Sequence, residues 1–249
     1  MMRIGVAVVA MMLPFDAIAS EKTWRVAAPE WAPYSGPGLP GGGTAVMELQ
    51  SRLADLGIGL DVSYYPLTRA QRVALAPDYA GYFPAWPWEV RVGFQASEPI
   101  ATSTLSANTL DGQAQGWWSF EDVFAQARVG VLTPHSYPPQ IQDLIEKHSA
   151  TVSGAIDETH LARLLHARRI DVALTDPFVI RNVFDRLGFE PDALKSTVSM
   201  EIPLVLAVKP ELARSANMLL ETIDLPGPEQ FVEICVLDCP SHDKSIRVD

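Results

Sequence analysis

Two hydrophobic periods alternate along most of the chain. The β-rich run 23–28 (TWRVAA) predicts a strand, and 59–65 (GLDVSYY) alternates apolar and polar residues like one. Between them, 44–56 (TAVMELQSRLADL) places Val46, Leu49, Leu53 and Leu56 at helical spacing, and Gly57 marks the end of that helix. A short helix over 68–76 stops at Pro77, and 79–83 reads as a further strand. Helices are predicted over 120–127, 139–147, 158–168 and 177–187, with strands at 128–132 and 170–174 between them. A strand at 204–208 and a helix over 210–223 close the pattern. Such strand–helix alternation predicts an α/β architecture with mostly parallel sheets.

Two segments interrupt it. Residues 100–109 (IATSTLSANT) and 195–202 (KSTVSMEI) are extended, polar and rich in β-branched residues and serine. A helix-rich piece bounded by two such segments predicts a discontinuous organisation. The first lobe comprises 20–104 and 199–249, the second comprises 105–198, and the paired crossings form a two-strand hinge.

The N-terminus follows a different rule. Residues 1–19 carry Arg3, then the apolar run from Ile4 to Leu13, then Ala17-Ile18-Ala19 before Ser20. A bilayer span needs about 20 apolar residues, so the run fits a cleaved signal peptide and an exported, periplasmic protein. A buried N-terminal helix is the alternative. No cysteine stands at the cleavage point to carry a lipid anchor, and no later run approaches a span, so the mature chain is expected to be soluble.

Composition narrows the partners. Nineteen Lys+Arg against 30 Asp+Glu give a net charge of -11. That charge repels phosphate backbones and argues against a nucleic-acid or anionic-membrane binder. Two cysteines are too few for a disulfide scaffold or a four-cysteine zinc site. In an oxidising compartment, Cys235 and Cys239 read as a local disulfide. With His242 they make three ligands without a fourth, so no metal and no cofactor is implied. The chain has no HExxH, no G-x-S-x-G and no Walker loop, which lowers the expectation of an enzyme.

Loops at predicted strand ends carry the candidate chemistry, because open α/β sheets bind ligands there. In Pro29-Glu30-Trp31-Ala32-Pro33-Tyr34, the aromatics Trp31 and Tyr34 either stack on a ligand or pack the loop onto the core. Gly41-Gly42-Gly43-Thr44 opens a helix with backbone N–H groups that either bind an anion or belong to a plain connector. Arg69 follows the strand ending at Tyr65 and either reaches the cleft or lies on the surface. Arg91 suits a ligand carboxylate, or else pairs with Glu89 or Glu98. In Thr133-Pro134-His135-Ser136-Tyr137, Ser136 and the helix N–H groups can grip an anionic end, and His135 titrates near neutrality or donates a hydrogen bond; a plain capped turn is the alternative. Asp176 sits at a strand end with Pro177 starting a helix; as an N-cap it stays ionised and can also hold an ammonium group.

Read in order, PEWAPY, PLTRA, GYFPAW, SEPI, SFEDV, RVGVLTPHSY, RRIDVALTD and IPLVLAVKP resemble the family 3 extracellular solute-binding proteins, the amino-acid-type periplasmic binding proteins of ABC importers. The resemblance implies the two-lobed type II periplasmic-binding-protein fold, and ligand capture by hinge closure without a catalytic step. It implies a monomer that takes a small polar ligand, an amino acid or related carboxylate, and delivers it to a membrane permease. It places Trp31 or Tyr34 where the family has a stacking aromatic, Asp176 where it holds an α-amino group, and Arg91 near its carboxylate-binding arginine. Trp88, Ala96 and Pro134-His135 depart from the usual pattern, so the resemblance is to divergent members. Other readings on the same fold are an exported dehydratase-like enzyme and an accessory protein that docks on a periplasmic oxidoreductase or sensor.

Overall fold

The computed structural model describes residues 22–110 and 116–215. The expected signal peptide, the expected Cys235–Cys239 disulfide and the part of the predicted helix beyond Ser215 lie outside the described residues.

The first lobe opens with a parallel β–α–β unit. Strand β1 (Lys22–Pro29) pairs with β2 (Ile58–Tyr65) along its whole length, and helix α1 (Thr44–Asp55) crosses between them. Helix α1 buries Ala45, Val46, Leu49 and Leu53. Leu56 falls on the C-cap and is 47% exposed, so the apolar stripe ends one position before the spacing predicts. Gly57, at φ 68°, turns the chain out of the helix. Helix α2 (Leu67–Val73) leads to β3 (Gly81–Ala85), parallel to β1. A side chain at Gly81 would put its Cβ 1.9 Å from the carbonyl oxygen of Ala207, so only glycine lets these strands meet. The two-residue β4 (Gln95–Ala96) completes this side.

The second lobe repeats the scheme. Strands β6 (Val129–Leu132), β7 (Val152–Ala155) and β8 (Val172–Thr175) are parallel. Helices α3 (Phe120–Gln126), α4 (Pro139–Lys147), α5 (Glu158–His166) and α6 (Pro177–Arg186) pack around them. The caps explain the helix starts: Ser119 accepts from Asp122 N, Asp157 from His160 N, and Asp176 from Phe178 N and Val179 N. Strand β7 is not foreseen by the pattern. Its V-S-G-A is too short to show a period, and it sits at a sheet edge with two of its four residues exposed.

The extended segments are the seam between lobes. Strand β5 (Ala101–Leu110) pairs antiparallel with β9 (Leu194–Val208) from Ala101↔Leu204 to Leu110↔Leu194. The sheet order is β2-β1-β3-β9-β5-β8-β6-β7, with β4 also on β9. By sequence, 195–202 and 204–208 read as separate segments, yet β9 runs straight through Pro203 between them. Ile100 N donates to Leu204 O, so the backbone of Pro203 faces away from β5, beyond the last β3 pairing at Val205. No ladder bond is lost there, which is the place a strand tolerates proline. Asn108 fastens the seam. It is buried, its amide nitrogen reaches the carbonyls of Thr175, Ser106 and Ala173, and its oxygen accepts from Ser196 Oγ. Helix α7 (Pro210–Ser215) follows β9.

Burial supplies most of the stability, at about 1.5–3 kcal/mol for each fully buried large apolar side chain. One cluster, including Trp24, Leu49, Leu105, Val129 and Leu174, spans both lobes. A second lies under α5 and α6 around Leu161, Ile170 and Phe184.

Candidate functional site

The parallel strands of both lobes aim their carboxyl ends at one crevice. A cavity of about 330 Å³ opens there. Its first-lobe wall is Pro29, Glu30 and Trp31 after β1, Pro66 to Thr68 after β2, and Pro84 to Trp86 with Glu89 at the end of β3. Its second-lobe wall is Leu132, Pro134 and His135 after β6, residues 156–159 after β7, and Arg186. Among the described residues, no group of three or more His, Cys, Asp or Glu side chains is arranged to hold a metal ion.

Aromatic rings form the floor. The ring of Trp86 lies 5.1 Å from that of His135 and 6.3 Å, edge-on, from that of Trp31. Trp31 leans on Tyr34 at 4.7 Å. Trp86 is fixed from behind: its Nε1 donates to Ser103 Oγ on β5, a 3.0 Å bond. Trp31 Nε1 is buried and has no hydrogen-bond partner.

A charged cluster bridges the lobes at this floor. Glu89 ends a helical turn that begins with Pro87, and its Oε2 accepts from Trp86 N at 3.0 Å, as a glutamate at the third position of a helical turn does. That bond turns the other oxygen inward, 2.7 Å from Nδ1 of His135 on the opposite lobe. The contact is short but poorly aligned, so neither Glu89 Oε1 nor His135 Nδ1 gains a hydrogen bond from it. Glu158 Oε1 lies 3.9 Å from His135 Nε2. Burial pulls the imidazole's pKa down, but the charge of Glu89 and the contacts with Glu158 outweigh it. The result is pushed up to about 10, so the imidazole stays a cation at neutral pH instead of titrating there. Sequence order suggests Glu89 as a partner for Arg91; the structure turns it the other way.

Asp176 makes a second bridge of different character. It is fully buried. Its Oδ2 accepts from Tyr34 OH at 2.7 Å and from Thr104 N at 2.9 Å; its Oδ1 accepts from Phe178 N and Val179 N. Burial pushes the Asp176 carboxyl above its ordinary range, against the pull of these four donors. Burial, then the charge of Asp176, drive the Tyr34 phenol up, so it remains a donor. Where the resemblance implies a ligand ammonium, the structure has the phenol of Tyr34.

The other expected site residues lie apart from the cavity. Tyr34 and Asp176 touch each other but are not in its lining. Ser136 is half-buried beside His135 and is also outside the lining; the turn is held by Tyr137, whose OH accepts from Leu132 N and donates to Leu174 O. Arg91 is exposed, and its Nε donates to Gln71 Oε1. Arg69 is exposed, with its guanidinium 5.3 Å over the ring of Tyr65. Trp31 alone of the six lines the cavity. The N–H groups at the start of α1 are not open to an anion: Thr44 donates to Pro33 O, and Ala45 and Val46 to Tyr34 O. Trp86, Glu89, His135 and Glu158 come together only in three dimensions. The one local signal among them is the Pro87–Glu89 turn.

No protein-family model and no curated protein matches the chain. Solved structures do. The ligand-binding core of GluR0 in complex with L-glutamate superposes with a TM-score of 0.61 at 14% identity, covering 80% of this chain and 90% of that one. The amino acid ABC transporter substrate-binding protein AbpA from Streptococcus pneumoniae, bound to L-arginine, gives 0.58 at 17% identity, covering 81% and 88%. A histidine kinase sensor domain with similarity to periplasmic binding proteins gives 0.60 at 12% identity, covering 80% and 87%. The protein therefore has the two-lobed α/β fold of periplasmic-binding-protein-like domains, as the sequence resemblance implies.

Proposed function

We propose that the protein is a periplasmic solute-binding protein that captures a small polar ligand between its lobes and presents it to the permease of an ABC importer. The lobes comprise 20–104 with 199–249, and 105–198, and β5 and β9 serve as the hinge. The observation that carries this reading is the cavity walled by both lobes, with Trp31, Trp86 and Glu89 on one side and His135 and Glu158 on the other. A ligand stabilises a closed form only through contacts that differ between open and closed states, and a wall divided between lobes supplies such contacts. A volume near 330 Å³ suits a small metabolite. The fold shared with AbpA is compatible with an importer role, and the signal-peptide pattern of residues 1–19 supports the location. Proton-transfer catalysis is the less favoured reading. A histidine held protonated to about pH 10 is far from the range in which a group both takes and gives protons near neutrality.

A thermal-shift screen of the purified protein against small metabolites tests the proposal. A true ligand at 100 times its dissociation constant adds about 2.7 kcal/mol of stability. Its binding is expected to shrink the radius of gyration in small-angle scattering and to be lost in Trp31→Ala. A screen across charged and neutral classes in which no compound stabilises the protein would contradict it.

A further inference from the structure

Resting on that reading, we infer that the ligand is an organic cation carried by its ammonium group alone, without the α-carboxylate of an amino acid. The charges of the cavity point this way. Its lining holds the carboxylates of Glu30, Glu89, Asp157 and Glu158 against only two cations, His135 and Arg186. His135 lies between Glu89 and Glu158 and is already matched by them. Arg186 donates to Thr159 Oγ1 at the rim. The arginines expected to receive a carboxylate, Arg69 and Arg91, are outside the lining and engaged with Tyr65 and Gln71.

Two further observations separate this from a mere acidic patch. Glu89 is 3% exposed at its side chain, faces the cavity, and keeps Oε1 without a hydrogen bond. That oxygen already faces the His135 cation at 2.7 Å, but two carboxylates, Glu89 and Glu158, flank the one imidazolium, so the cluster keeps a net negative charge that favours a positive group entering the cavity. The same cavity offers the indole rings of Trp31 and Trp86, whose faces attract cations and cover alkyl groups. A carboxylate ligand would meet like charge at Glu89 and Glu158; an ammonium meets opposite charge and aromatic surface. The site that would otherwise take an amino acid's ammonium, Asp176, is filled by Tyr34.

The test is isothermal titration of the full protein with choline, 1,4-diaminobutane, L-glutamate and succinate. Choline and diaminobutane separate a quaternary from a primary ammonium as the recognised group. The expected result is binding of at least one of the two cations, weaker at high salt, and no binding of glutamate or succinate. Glu158→Gln keeps the shape of the wall and should weaken the cation by at least about tenfold, the scale of a lost charge contact. Glu30→Gln should weaken it less, and Arg91→Ala should leave it unchanged. Binding of succinate or glutamate with neither cation bound would overturn the inference while leaving the binding-protein reading intact. Cation binding unaffected by Glu158→Gln and by Glu30→Gln would place the cation elsewhere and overturn it as well. If none of the four binds, the inference falls, and the wider screen described above decides the binding-protein reading separately.

Discussion

Two bridges cross between the lobes, and they spend their polar groups differently. At Tyr34 and Asp176 every oxygen of the carboxylate has its donors, the group is fully buried, and it lies outside the cavity lining. At Glu89, His135 and Glu158 only Glu89 is comparably buried, His135 and Glu158 being 12% and 20% exposed; the short contact is misaligned, an oxygen and a nitrogen lack hydrogen bonds, and a cavity opens beside them. The first is a finished structural joint. The second is left incomplete where a ligand can complete it. The latch is both more deeply buried and fully hydrogen-bonded, and the binding site is neither.

The comparison can be broken at either end. The largest effect is expected from Asp176→Ala. It removes the cap of α6 and strands Tyr34 OH and Thr104 N, for a loss of about 3–5 kcal/mol in urea unfolding. Glu89→Gln follows. It leaves the His135 cation with only the longer Glu158 contact, so we expect about 3 kcal/mol, the low end for a broken buried pair. The same variant sharpens a pH test. His135 has its pKa raised from 6.5 to about 10 on folding, because the charges of Glu89 and Glu158 override the burial that pulls it down. A raised folded value means that its contribution is complete below about 6.5 and is lost as pH rises through about 10. Unfolding midpoints measured from pH 6 to 10.5 should therefore fall more steeply in the parent than in Glu89→Gln. Equal slopes would remove the cluster's role in stability. Tyr34→Phe removes one donor from Asp176 and leaves three, for about 1–2 kcal/mol. The smallest effect is expected from Arg69→Ala, about 0.5 kcal/mol from its exposed contact with Tyr65, with ligand affinity unchanged.

The sequence discloses the joint more readily than the site. Helices α1, α4 and α6 are legible because apolar spacing, prolines and caps agree within a few residues. Asp176 is legible as a cap because its partners Phe178 and Val179 are neighbours in sequence. Its bond to Tyr34 spans 142 residues, and no local pattern encodes that. Strand β9 looks like two pieces because Pro203 breaks strands in general; which face of the strand it occupies is known only once β5 and β3 are in place. Glu89 is misread for a similar reason. In the sequence it stands two residues from Arg91, yet the turn beginning at Pro87 points it at a histidine on the other lobe. Glycines 41–43 opening helix α1 suggest an anion site, and the loop carbonyls of Pro33 and Tyr34 take the N–H groups of Thr44, Ala45 and Val46 instead. Long-range closure decides each of these cases.

The most direct test of the account is a crystal structure of the protein with whichever compound stabilises it most. The account predicts that compound in the crevice against Trp31 and Trp86, with a positive group against Glu89 and Glu158 and the Tyr34–Asp176 bond still in place. A stabilising compound bound outside this crevice, or one whose carboxylate is held there by Arg91, would contradict it.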